Sequence, residues 1–510
     1  MPAINPRRTR LAVLLTAATF AVVSACTDHR VPPQPRPAGV FYGLTSSNQL
    51  LTLNTQSSET ASATVSITGL QGGENLLAID FRPATGQLYG VGSSSRIYVI
   101  NPATGLARAI GTGAFTPAIN GSVAGFDFNP TVDRIRLVTN TGQNLRLNPE
   151  TGAVMITDGS INGGVGGTPA IGAVAYTNSF AGASTTVLYD IDPVTDRLYK
   201  QDPPNNGTLV DVGPLGLPIT NVGGFDISPD NSGAIASVEF NGAWELDYID
   251  LATGKAQKLG DLPAGNVIGI AIPTNPVAYA VSESNSLLIF NPTNVGMPAS
   301  RAITGLAAGE NILGIDFRPL NGQLYALGST SRLYTINASS GAATVVGSAG
   351  AFTLTGSDFG FDFNPTVDRI RVVSNTGQNL RLNPNDGALA ATDGALNPGS
   401  PSVTAAAYTN NFVPVTPPGS TVLYVIDSNT DKLFRQMPPN DGTLVEVGPL
   451  GINAEAGNGF DIGGTSGTAY LLAKFSLTSS IYTVNLNTGA TTKVADFPMN
   501  VRGMAVGLGF

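Results

Sequence analysis

The side chains best suited to chemistry in this 510-residue chain are crowded into one short segment that occurs twice. Residues 125–149 read GFDFNPTVDRIRLVTNTGQNLRLNP and residues 360–384 read GFDFNPTVDRIRVVSNTGQNLRLNP, differing only at Leu137/Val372 and Thr139/Ser374. Arg136, Gln143, Asn144 and Arg146, with the copies Arg371, Gln378, Asn379 and Arg381, bring guanidinium forks and amides together. Such groups hold a carboxylate or phosphate by paired hydrogen bonds, so they are the expected ligand-binding set. The competing use is structural: Asp127 and Asp133 bind turn backbone or pair with Arg134 or Arg136, and the arginines, on one face of a strand, bridge to the neighbouring sheet.

The other reactive residue types mostly exclude. His29 is the only histidine and lies near the N-terminus, so a Ser-His-Asp triad, a Cys-His pair, a histidine-held zinc or haem and a histidine base are ruled out of the folded body. No GxxxxGK[ST] loop is present. Carboxylates, tyrosines and amides remain. The expectation is therefore a protein that is not an enzyme, with no catalytic residue and no cofactor. A carboxylate-pair hydrolase or calcium-assisted lactonase is the alternative. Asp80, Asp127 and Asp226 recur as Asp316, Asp362 and Asp461. A carboxylate ring would suit Ca²⁺ if all faced one point, but repeated buried aspartates more often satisfy turn amides, so no metal site is expected.

These residues need a repeated β-architecture to position them. Apolar–polar alternation opens each unit at Ala78, Gly125, Ala173, Gly224 and Gly269, and again at Gly314, Gly360, Ala405, Gly459 and Gly503. Further strands follow, such as Arg96-Ile97-Tyr98-Val99-Ile100, with Asn-Pro-x-Thr-Gly turns such as residues 101–105. Four strands about every 40 to 55 residues, with no helical stretch, read as β-propeller blades. The fold class is all-β, with ten four-stranded blades. The outer strands of the first blade, within 40–70, lack an innermost strand, which 267–272 or 501–508 could supply. Two closures follow: two tandem five-bladed propellers, which we expect because the duplicated unit holds five blades, or one ten-bladed ring. The domains are then 1–25, 26–38, 39–273 and 274–510. The terminal Gly507-Leu508-Gly509-Phe510 has the aromatic end of outer-membrane barrels, but aromatics at 7% are too few for lipid-facing belts.

The first of those domains is an address. Arg7, Arg8 and Arg10 precede the apolar run 11–23, which is too short to span a bilayer and reads as a signal peptide. Val23-Ser24-Ala25-Cys26 resembles a bacterial lipobox, with Cys26, the only cysteine, as the lipidation site. Thr27 in place of Asp implies outer-membrane sorting by the lipoprotein rule. Residues 26–38, rich in proline, form a stiff tether. One cysteine permits no intrachain disulfide. A formal charge of −9 argues against nucleic acid as a partner.

The segments GFDFNPTVDRIR, NTGQNLRLNP, AYTN, LYDID or LYVID, QDPPNNG or QMPPNDG, and GFDI resemble the bacterial domain of unknown function DUF4394, as two tandem copies across 39–510. That resemblance implies an exported bacterial protein and assigns no activity, cofactor or functional residue. The expected function is an outer-membrane-anchored envelope lipoprotein that binds or scaffolds. Its expected partners are the membrane, through the lipid anchor, and an unidentified polar envelope ligand or protein.

Overall fold

The computed structural model describes residues 2, 32–33, 35–263, 266–413 and 420–510. Cys26, the signal segment and most of the tether lie outside the described residues. The rest forms ten antiparallel four-stranded sheets, joined in blade 4 by a short extra strand, Asn162–Gly163, that pairs in parallel. Beyond strands and turns there are two 3₁₀ turns, Pro204–Asn206 and Pro439–Asp441.

We number the blades by the order of their second strands. The innermost strands of the first ring are Val267–Ala271 (blade 1), Leu76–Phe81 (blade 2), Ala124–Asn129 (blade 3), Ala173–Tyr176 (blade 4) and Asn221–Ile227 (blade 5). Those of the second ring are Val501–Val506, Ile312–Phe317, Phe359–Asn364, Val403–Tyr408 and Glu455–Ile462, for blades 6 to 10. Each of these strands packs against the innermost strands of the blades before and after it, and the circuit closes after five. The chain is two tandem five-bladed propellers.

Closure uses the same device in both rings. Val267–Ala271 pairs with Val40–Thr45, placing Tyr42 opposite Ala271 and Leu44 opposite Gly269. Val501–Val506 pairs with Ala278–Ser282, placing Ala278 opposite Val506. Each ring's last strand thus becomes the inner edge of its first blade and leaves no free inner edge. The short join after Ala271 runs from that closing strand straight into blade 6, so its brevity is compatible with two rings.

Alternation builds the core between blades. In Leu88–Gly92 and Leu324–Gly328 every residue is buried, because sheets cover both faces of the strand. Outer strands such as Ala63–Ser66 are mostly exposed. Adjacent inner strands come closest at glycines: a Cβ on Gly360 would lie 2.7 Å from the Ala406 amide nitrogen, and one on Gly125 2.8 Å from that of Val174. At the rim, Asn101 Oδ1 accepts from the amides of Ala103 (2.9 Å) and Thr104 (3.1 Å), closing the turn as its sequence required.

The rings meet through turns that follow their innermost strands. Arg82 Nη1 donates to Gly322 O at 3.1 Å, Tyr279 Oη to Ala84 O at 3.0 Å, and Arg301 Nη2 to Gly182 O at 3.0 Å. The terminal segment lies in this seam, with Gly509 N donating to Thr85 O at 2.8 Å and Phe510 against Gly86.

Candidate ligand cleft and buried charge networks

The duplicated polar segment folds into two inter-blade struts. Arg136, on the second strand of blade 3, is 2% exposed. Its Nη1 donates to Asn144 Oδ1 and Asp158 Oδ2, both at 2.7 Å, and its Nη2 to Asn205 Oδ1 in blade 4 at 2.8 Å. Asn144 donates to Gly159 O and Pro204 O, tying the same two blades. Arg146, on the next strand, is bidentate on Asp158 at 2.7 and 2.9 Å and about a quarter exposed. Gln143 stands apart, donating to Ala118 O and accepting from Asn120 N.

The second copy repeats each bond: Arg371 with Asn379, Asp393 and Asn440, Arg381 bidentate on Asp393, and Gln378 with Thr353 O and Thr355 N. Asp158 and Asp393 thus take the arginine forks that a ligand carboxylate would need. The aspartates themselves depart from the expected pairing. Asp133 turns to Arg82 of blade 2, while Arg134 donates to the Asp133 carbonyl.

A second departure is axial. Asp80, Asp127 and Asp226 cap no turn; they sit on innermost strands and converge, with one carboxylate oxygen from each within 4.8 Å of the others. Asp316, Asp362 and Asp461 do the same in the second ring. Each reaches towards the next blade: Asp80 Oδ2 accepts from Phe128 N, Asp226 Oδ2 from Ile272 N, Asp316 Oδ2 from Phe363 N and Asp461 Oδ2 from Val506 N. The reason is topological, since at the axis the nearest unpaired amides belong to the adjoining inner strand. Burial pushes all six carboxyls up, Asp226 and Asp461 to about 7, and mutual repulsion adds to it at Asp80, Asp127, Asp316 and Asp362.

One more buried acid gives a pH prediction. Asp247 in blade 5 has no hydrogen bond to either oxygen; burial, and then Glu245, push it up to about 8 against the opposing charge of Lys258. A raised folded pKa favours folding fully below the unfolded value near 4, and that advantage is lost as pH rises through about 8. Asp247→Asn should therefore melt higher than the parent at pH 9, by a margin that shrinks towards pH 5. Thermal melts at pH 5, 7 and 9 check this; a constant margin would refute it.

A cavity of about 590 Å³ lies between the rings. Phe81, Leu88, Ile100 and Leu106 of the first ring face Phe412, Val413, Pro319 and Leu508 of the second. Arg108, from the outer strand Ala107–Ile110 of blade 2, enters it. Its only described partners are carbonyls at long range, Pro319 O at 3.3 Å and Val413 O at 3.4 Å. No carboxylate lies within ion-pair distance of Arg108 among the described residues. Burial lowers its pKa, and the charges of Tyr89 and Asp368 only partly oppose that. Gln87, whose Oε1 lacks a donor, lines the same cavity. None of the described lining residues is a carboxylate, histidine or cysteine.

Sequence reasoning missed both Arg82 and Arg108. Arg82 carried a usable signal, since Asp-Phe-Arg-Pro recurs at 316–319 with Arg318 in the same place. Arg108 carried none: its register counterpart in the second ring is Thr344, and its partners Pro319 and Val413 come from the other ring.

The family described as "Domain of unknown function (DUF4394)" matches residues 49–271 and again residues 286–505. No curated protein matches the chain.

Proposed function

This chain belongs to the DUF4394 family, in two tandem copies, and we propose that it is a lipid-anchored envelope protein that binds an amphipathic organic anion between its two rings. The observation that carries the reading is Arg108: a half-buried guanidinium bonded at long range to two backbone carbonyls and to no carboxylate among the described residues, in a cavity whose other lining is mainly apolar with a few neutral polar side chains. A partly desolvated cation without an opposite charge is a place where a ligand carboxylate or phosphate gains a charge-assisted, bidentate contact. An apolar body would cover Phe81, Leu88, Ile100 and Phe412. Pockets of this kind, apolar with a few convergent polar groups at a domain boundary, are where small molecules usually bind. The absence of carboxylate, histidine and cysteine from the described lining favours binding over hydrolysis.

The test is calorimetric titration with decanoate and with decanol. Decanoate should bind the parent protein, and Arg108→Gln should weaken it at least tenfold. Decanol should bind both forms alike and weakly. Equal decanoate affinity for the parent and Arg108→Gln would remove the proposal.

Anchoring is a separate claim, supported by the lipobox-like Val23-Ser24-Ala25-Cys26. Cys26→Ser should abolish incorporation of labelled palmitate and release the protein from the membrane fraction. Equal labelling of mutant and parent would end the lipoprotein assignment.

A further inference from the structure

The axial aspartates lie outside the cleft and have no part in the proposed binding. Five positions, one per blade, surround each axis at their level. In the first ring these are Asp80, Asp127, Ala175, Asp226 and Ala271; in the second, Asp316, Asp362, Ala407, Asp461 and Ala505. Three carboxylates and two small side chains therefore surround each axis at this level. Oxygens within 4.8 Å of one another allow a point no further than about 2.8 Å from all three, within reach of the 2.3–2.6 Å of Ca²⁺ ligation, whereas Mg²⁺ dehydrates reluctantly and demands near-octahedral geometry that three carboxylates on rigid strands do not supply.

Hydrogen-bond accounting points independently to something at this place. Asp80 takes the amides of Phe81 and Phe128, and Asp226 those of Ile227 and Ile272. Asp127 is 2% exposed, and the amides of Phe128 and Tyr176 face it, yet its Oδ1 has no hydrogen bond of normal geometry, whereas Asp362 Oδ1 in the second ring accepts from Tyr408 N at 3.0 Å. A buried carboxylate oxygen without a donor, among two more carboxylates, calls for a cation or a proton.

The second ring has a surface cavity on the same side of its triad as the start of the inner strands. It is about 170 Å³ in volume and is rimmed by Glu283, Asp358, Lys474 and Arg502. Gly314, Gly360, Gly459 and Gly503 line a small void nearby, and the triad stands two residues further along three of those strands.

We propose that the axial aspartates of the first ring hold one hard divalent cation of the calcium class, and that the second ring, by the same convergence of its three aspartates, holds another. The cation bridges three blades at the axis, so it acts as a structural rivet with no catalytic role. The alternative is that the carboxyls share protons, and substitution by Asn separates the two. Asn retains an oxygen for the backbone amides but removes the charge that a cation needs, whereas under proton sharing it relieves repulsion.

The full-length protein, stripped with EGTA and dialysed against CaCl₂, should retain two calcium ions per chain by elemental analysis. Asp127→Asn should retain one, and Asp127→Asn with Asp362→Asn none. CaCl₂ should raise the melting temperature of the parent, the single variant less and the double variant not at all, with MgCl₂ much weaker throughout. Calcium content that is the same in parent and double variant would place the ion elsewhere and overturn the proposal. If the variants fail to fold, the stripped parent alone decides: a melting temperature unmoved by millimolar CaCl₂ would also overturn it.

Discussion

Replacing Arg82 by Ala should cost the protein about 3–5 kcal/mol of stability, the range for breaking a buried ion pair. Arg82 is 1% exposed and is the hub of the seam. Its Nε and Nη2 hold Asp133 at 2.8 and 2.5 Å, Nη2 also holds Glu150, and Nη1 reaches the Gly322 carbonyl of the other ring. Removing it leaves two buried carboxylates facing each other, one of them, Glu150, already pushed up by burial. The loss should be larger at pH 8 than at pH 5, where the orphaned acids can take up protons. Arg318→Ala, the equivalent change in the second ring, should cost only about 1–3 kcal/mol. There Asn385 stands in place of Glu150, and Asp368 is more than a quarter exposed. Denaturant unfolding of both variants checks the ranking; equal losses would contradict it.

The second large effect concerns the duplicated strut. Asp158→Ala should also cost about 3–5 kcal/mol, because it strands Arg136 in the interior between blades 3 and 4. Arg146→Ala should cost about 1 kcal/mol or less, since that guanidinium is partly solvated and its loss leaves Asp158 paired with Arg136. A reversed order, with Arg146 the more costly, would mean the network is misassigned. Combining Arg146→Ala with Arg381→Ala tests the ligand-binding expectation for these residues: a stable protein that had lost a ligand would support it, and lowered stability with ligand binding intact would leave only the strut.

Much of the fold was legible because its determinants are local. Alternation in Leu76–Phe81 and its counterparts, and the Asx turn at Asn101 with Gly105 at φ +72°, depend on residues close in sequence. Closure was less legible. Tyr42 opposite Ala271 is a long-range pairing, and the join at 272–277 reads equally well as a turn within a continuous ring. The candidate sites divide in the same way. The charge-rich strand of Arg136 was visible, but its partners Asn205 and Asp158 come from a neighbouring blade and a bulged edge, so periodicity could not reveal that the forks were taken. Asp80 and its relatives were visible as a repeat. Their direction was not, because it depends on which blade adjoins at the axis. Arg108 is half-buried and meets Pro319 and Val413 of the other ring, a consequence of assembly that no window of sequence contains.

The central claim, one anion site built between the two rings, is tested most directly by a crystal structure of the protein soaked with 11-bromoundecanoate. An anomalous bromine peak in the cleft among Leu88, Ile100 and Phe412, with the carboxylate within hydrogen-bond distance of the Arg108 guanidinium, is the expected result. Bromine bound anywhere else, with the Arg108 guanidinium still on Pro319 and Val413, would contradict it.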